Sequence, residues 1–155
     1  MAVIPIYMIF QMLGLFGTHL SLIIVYTAFN LPLGIWLTKT YFDELPLEVE
    51  EAATLDGCNK LKLLTRIVLP MSISGLTVTA FLLGIFIWNE FLFASILTTS
   101  STRTVTVVAA MTIKQRFLTF GDNAACAVLV TLPMLIVFLM VEKYLMRALT
   151  FGMVK

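Results

Sequence analysis

The sequence predicts an all-α, polytopic membrane protein, and three observations carry that prediction. Of the 155 residues, 60% are hydrophobic and 12% charged, whereas an ordinary soluble domain carries roughly 25% charged residues. The charges cluster, so that residues 1–38, 67–89 and 123–141 contain no Asp, Glu, Lys or Arg. Runs of this kind suit transmembrane helices, which need about 17–25 predominantly apolar residues to cross a bilayer.

The first run is too long for one pass, and Leu13-Gly14-Leu15-Phe16-Gly17-Thr18 inside it reads as a turn punctuated by glycine. It therefore divides into a short apolar segment over about 2–13 and a span over about 19–38. A polar loop, 39–70, follows. The third segment is expected over about 71–98 and the fourth over about 122–142, with a short tail to Lys155. Lys39, Lys60, Lys62 and Arg66 in the loop and Lys143, Arg147 and Lys155 in the tail face only Arg103, Lys114 and Arg116 on the other side. Positive charge is retained in the cytoplasm, so loop and tail are predicted to be cytoplasmic. The 99–121 connection is then outside, and its apolar stretch Thr104 to Phe117 is expected to form a short helix on, or re-entering, the membrane surface. The chain opens abruptly, without the basic region of a signal peptide. That opening is the one expected of a truncated gene or a fragment of a longer protein.

A net charge of +1 argues against nucleic acid as a partner. Cys58 and Cys126 make neither a disulfide framework nor a metal site, and read as small buried hydrophobes. His19 has no Cys, Asp or Glu nearby in sequence and reads as an interfacial residue. Pro133 is expected to kink the fourth segment. No glycine loop of the nucleotide-binding type, Ser-His-Asp ordering or histidine pair occurs, so no catalytic residue, metal or cofactor is assigned.

The cytoplasmic loop has a pattern of its own. Pro46 suits the first turn of a helix, and Glu48, Glu50 and Glu51 follow at the end where the helix dipole favours negative charge. Gly57 supplies the stop. A second short helix is expected from about Asn59, as cap, to Ile67, with Pro70 opening the next membrane segment. A helix, a glycine turn and a helix projecting between two spans have the shape of a docking element. Ala52 and Ala53 would let a partner approach closely, while Glu51 can pair with an arginine in a groove. The same features also describe an ordinary solvated amphipathic loop.

Glu51-Ala52-Ala53, three residues, Gly57, nine residues, Ile67, one residue, Leu69-Pro70 resembles the EAA loop of the permease subunits of binding-protein-dependent ABC importers, at every fixed position and spacing. Tyr26-Thr27-Ala28-Phe29, Leu31-Pro32, Trp88-Asn89-Glu90-Phe91, Thr131-Leu132-Pro133 and the ending Leu149 to Lys155 are similar to the sugar-type branch, the maltose and glycerol-phosphate permeases. The resemblance implies a MetI-like permease core in the inner membrane of a bacterium, truncated to the last four of about six spans. It also implies the partners: cytoplasmic ATPase subunits, a second permease subunit, an extracytoplasmic solute-binding protein and lipid. Carried over, Glu51, Ala52, Ala53, Gly57, Ile67, Leu69 and Pro70 form the coupling element that sits in the ATPase. Val107 and Ala109 depart from glycines frequent in relatives.

Glu90 is the one acid in the third segment, about 23 Å along a helix from Gly75 at 1.5 Å per residue, and an ionisable residue at such depth is a functional candidate. With Trp88 and Asn89 it is assigned to a translocation path, against the alternatives of a hydrogen bond inside the bundle or an interfacial anchor. The expected function is a carbohydrate permease. The alternatives are a permease for an amino acid or polyamine, an inactive fragment, or an intramembrane enzyme, which would need a dyad that the spans lack.

Overall fold

The computed structural model describes residues 3–114 and 120–151. Arg116, the end of the expected outer helix at Phe117, and the ending from Gly152 to Lys155 lie outside them. Every regular element among the described residues is a helix. In order these are α1 (Val3–Met12), α2 (His19–Asp43), α3 (Leu47–Leu55), α4 (Lys60–Leu63), a π-helical turn (Leu64–Val68), α5 (Leu69–Met71), α6 (Ile73–Trp88), α7 (Leu92–Leu97), α8 (Val105–Lys114) and α9 (Phe120–Phe151).

Helices α2 and α9 are each long and apolar enough to cross a membrane, α9 over Gly121–Met146. Both outrun the apolar runs that announce them. Past residue 38, Lys39 and Asp43 form an ion pair one turn apart, which supports continuation of the helix beyond the apolar run. The tail expected after residue 142 is helical as far as Phe151, and α9 is continuous through Pro133. With 10 residues, α1 is about 15 Å long and covers about half of a hydrocarbon core of roughly 30 Å.

The stretch expected as one segment over about 71–98 is two helices. Helix α6 ends at Trp88 and the separate α7 begins at Leu92. At its other end α6 is bent by 74° from the arm Lys60–Met71 that precedes it. Proline explains that arm. An α-helical Pro70 would press its ring on the Arg66 carbonyl and donate nothing to it, and the chain widens into the π-turn immediately upstream, where the Leu69 N–H reaches back to the Leu64 carbonyl.

The contacts gather the chain into two compact units, one from residues up to Leu31 together with Gly84–Val137, the other from Pro32–Leu83 together with residues from Phe138 onward. The first holds the core, in which Phe10, Leu22, Val25, Ala94, Leu97 and Val107 pack together with Tyr26 and Phe93 at the margin. Val107 is fully buried, so α8 enters this core by at least one residue instead of only lying on a surface. Entry to α2 is set by Thr18, whose hydroxyl accepts from the Ser21 N–H at 3.4 Å in the manner of a helix cap. The turn before it takes positive φ at Gly14 and Gly17, and the Gly17 N–H donates to the Leu97 carbonyl at 3.0 Å. That bond ties the turn to the end of α7.

Ala94 has no exposed surface, so Ala94→Leu forces extra methylenes into a filled space. The expected result is a loss of about 1–3 kcal/mol, read as a lower melting temperature of the purified chain in detergent. Leu139→Ala, at a side chain 60% exposed, serves as the control and leaves the melting temperature unchanged.

Candidate functional site

Residues 44–72 form one structured element between α2 and α6. A turn closed by the Leu45 N–H on the Phe42 carbonyl leads into Pro46, which is extended (φ −62°, ψ 128°) and stands one position before α3 instead of inside its first turn. Glu48 and Glu50 occupy that first turn, where the exposed N–H groups favour negative charge. Helix α3 ends in paired bonds, Gly57 N–H to Thr54 C=O at 3.1 Å and Cys58 N–H to Ala53 C=O at 3.0 Å. This is the Schellman arrangement, and it puts Gly57 at φ +77°. No atom stands within 4 Å of where a Gly57 side chain would begin, so the requirement for glycine here is conformational and not steric. Asn59 then caps the second helix, its side chain accepting from the Lys62 N–H at 2.8 Å.

The two alanines have different surroundings. Ala53 is buried, whereas Ala52, Glu51 and Gly57 are exposed. Glu48, Val49, Ala52, Ala53, Asp56, Cys58 and Ile67 line an open groove of about 400 Å³ on the element. The buried Ala53 on α3 and the half-buried Ile67 on the arm that follows both line this groove. Leu69 and Pro70 are exposed and belong to the bent arm, where Pro70 sets the π-turn. Glu51 has no ion-pair partner among the described residues, which leaves its carboxylate free for another molecule. Leu47, Leu55, Leu61 and Leu64 are also exposed on the element, from 40% to 89%, and large apolar side chains in water mark an interaction surface when they cluster.

Trp88, Asn89 and Glu90 stand at the break between α6 and α7. Trp88 is half-buried and Asn89 exposed, with its side-chain N–H₂ on the Ile85 carbonyl at 2.9 Å. Both oxygens of Glu90 are in use. Oε1 accepts from the Phe93 N–H at 2.9 Å, and Oε2 accepts from the Ala94 N–H at 3.1 Å and the Tyr26 hydroxyl at 3.0 Å. The carboxylate thus caps α7 and ties it to α2, so the hydrogen bond inside the bundle is the arrangement this structure holds. The ring of Phe29, one turn beyond Tyr26, lies 5.0 Å from that of Phe93 and extends the same contact.

The family profile described as "Binding-protein-dependent transport system inner membrane component" matches residues 1–154. Among curated proteins, the chain is 38% identical over 147 residues to the trehalose/maltose transport system permease protein MalG of Thermococcus litoralis, covering 94% of this chain and 53% of that protein. It is 35% identical to the trehalose transport system permease protein SugB of Mycobacterium tuberculosis, covering 99% and 57%. The inner membrane ABC transporter permease protein YcjP of Escherichia coli is 34% identical, covering 99% and 55%. The chain spans about half the length of the curated relatives it matches.

Two substitutions test this geometry. Glu90→Ala leaves two N–H groups and the Tyr26 hydroxyl without their acceptor and is expected to destabilise the chain by about 2–3 kcal/mol, against about 1 for Tyr26→Phe, both read by thermal unfolding in detergent. Gly57→Ala carries a strain of about 1–2 kcal/mol from the left-handed backbone alone. Its signature is faster amide exchange confined to residues 47–63, with the first unit unchanged.

Proposed function

Since this chain belongs to the family of binding-protein-dependent transport system inner membrane components, we propose that it is part of a membrane permease that imports carbohydrate and is driven by a separate cytoplasmic ATPase. The observation that carries the proposal is the element 44–72. It joins α2 to α6, keeps a free carboxylate at Glu51 beside the exposed Ala52, and exposes five leucines, Leu47, Leu55, Leu61, Leu64 and Leu69. An exposed carboxylate beside a small residue suits an arginine in a close-fitting groove, and the leucines supply apolar area for the same contact. Ala53, Gly57, Ile67 and Pro70 shape the element, and Glu51, Ala52 and Leu69 are the residues offered outward.

Within the element, three residues separate the end of α2 from α3, and one residue separates the end of the arm from α6. Displacement of a docked element therefore acts directly on the ends of two membrane helices. ATP-driven closure of the ATPase would draw the element with it, and reopening of the spans toward the outside would admit solute from a binding protein. Loop and C-terminus are cytoplasmic in this scheme, in keeping with the seven-to-three excess of Lys and Arg on that side. Inner membrane is the location that the family description and the YcjP name supply.

Carbohydrate is favoured over an amino acid or polyamine because two relatives carry trehalose or trehalose/maltose in their names. Trp88 and Asn89 are the residues offered to the solute, an indole face to pack on the apolar side of a pyranose and an amide for its hydroxyls. Glu90 serves them as the brace that fixes the break.

Co-expression with an ATPase encoded beside the gene, followed by detergent solubilisation and affinity capture, tests the docking. The wild-type chain is expected to retain the ATPase, and Glu51→Arg to reduce retention at least tenfold through charge reversal in a desolvated contact. Gly57→Pro is expected to abolish it, because proline cannot take positive φ and removes the N–H that closes α3. A wild-type chain that inserts in the membrane and captures no ATPase would overturn the proposal.

A further inference from the structure

The element 44–72 is a loop whose two ends meet. Tyr41, in the last turn of α2, lays its ring on Gly75, in the first turn of α6. Gly75 is buried, and a Cβ there would clash with the ring. A second touch occurs farther along the same pair of helices, where a Cβ on Gly34 would stand 3.1 Å from Leu83 Cδ1. The two contacts are seven residues apart on α2 and eight on α6, about two helical turns. Their order is that of antiparallel neighbours, and each is a side chain received by a glycine, the means by which membrane helices approach closely.

The Tyr41–Gly75 contact sits at the neck of the element, next to the 74° corner at Ser72. At the corner itself only backbone bonds are seen among the described residues, from the Ser72 N–H to the Val68 carbonyl and from the Leu76 N–H to the Ser72 carbonyl, both at 2.9 Å. Ser72 is 5% exposed, and its hydroxyl has no hydrogen-bond partner among the described residues. A cavity of about 340 Å³ lies beside the contact, lined among others by Glu44, Met71, Ser72 and Ser74, so the neck has room to swing unless the ring holds it.

We infer that Tyr41 and Gly75 are the positioning pair that pins the two stems of the docking element together, so that the element and the start of α6 move as one body. A hinged corner without this pin would let the element follow its partner while α6 stayed behind. The pin is a property of the ring and of the missing Cβ, and the tyrosine hydroxyl takes no part. Its role in transmitting movement rests on the docking reading, but the pin itself does not.

The test is a distance measurement by pulsed electron paramagnetic resonance on the whole chain in lipid nanodiscs. Spin labels go on Thr54→Cys in α3 and Ala80→Cys in α6, with Cys58→Ser and Cys126→Ser removing the native thiols. The parent is expected to give one narrow distribution, and Tyr41→Phe and Ser72→Ala to retain it. Tyr41→Ala and Gly75→Ala are each expected to broaden it, and the double variant to be no broader than Tyr41→Ala alone, since the added methyl then meets no ring. A distribution as narrow in Tyr41→Ala as in the parent, or as broad in Tyr41→Phe as in Tyr41→Ala, would overturn the inference. ATPase capture by the same variants separates the two readings: a pinned neck in a chain that captures nothing refutes the docking and leaves the pin standing.

Discussion

A peptide N–H or C=O with no partner costs several kcal/mol in hydrocarbon, and two departures from helix among the described residues, the turn before α2 and the break after Trp88, are built around that cost. Helix α2 is entered through a threonine cap, and the turn before it sends the Gly17 N–H to the Leu97 carbonyl. The break after Trp88 is harder to satisfy, because it lies at the end of the second charge-free run. There a carboxylate does the work of several backbone acceptors, and a phenol on another helix completes its shell. An ion at that place is expensive unless it is fully bonded, and the three donors around Glu90 supply what water would.

The same requirement explains what could be read from the sequence. Apolar runs announce α2, α6 and α9 because they answer to length and composition alone, and the glycine stop and asparagine cap of the 44–72 element answer to local backbone chemistry. Both kinds of signal sit within a few residues. The break between α6 and α7 does not, since it depends on Tyr26, 64 residues before Glu90. Without that partner, an acid beside a tryptophan and an asparagine reads as a path-lining group. The π-turn was similarly hidden. Pro70 marks a boundary in any sequence, but whether the helix before it stops or widens depends on the geometry upstream. The burial of Ala53 beside an exposed Ala52 is a third case, because two adjacent alanines carry no signal for which of them faces the arm.

Glycine serves two separate ends in the second unit, and the distinction bears on how it works. Gly57 is chosen for its backbone, with open space where a side chain would begin, and closes α3 through its N–H on the Thr54 carbonyl. Gly75 has ordinary helical backbone and is chosen for absence of a side chain, since a Cβ there would clash with the Tyr41 ring. One glycine therefore shapes the element and the other fastens it. Substitution at the first is felt as strain within a turn, and at the second as a displaced helix.

Helix α9 shows the opposite condition. None of its apolar window is buried within the chain, yet its Thr131 hydroxyl is returned to the Ala127 carbonyl at 2.8 Å. A hydroxyl folded back on its own helix demands nothing from a neighbour, so this surface is suited to lipid or to an apolar helix alike. Packing between helices in a membrane gains little from hydrophobicity, because lipid tails are as apolar as leucine. What selects a neighbour is close approach at small residues and bonds between polar ones, and among the described residues Gly34, Gly75, Tyr26 and Glu90 provide such contacts. The recognition chemistry is therefore concentrated on α2 and on the segments around α6, which are the segments that carry the docking element and the break.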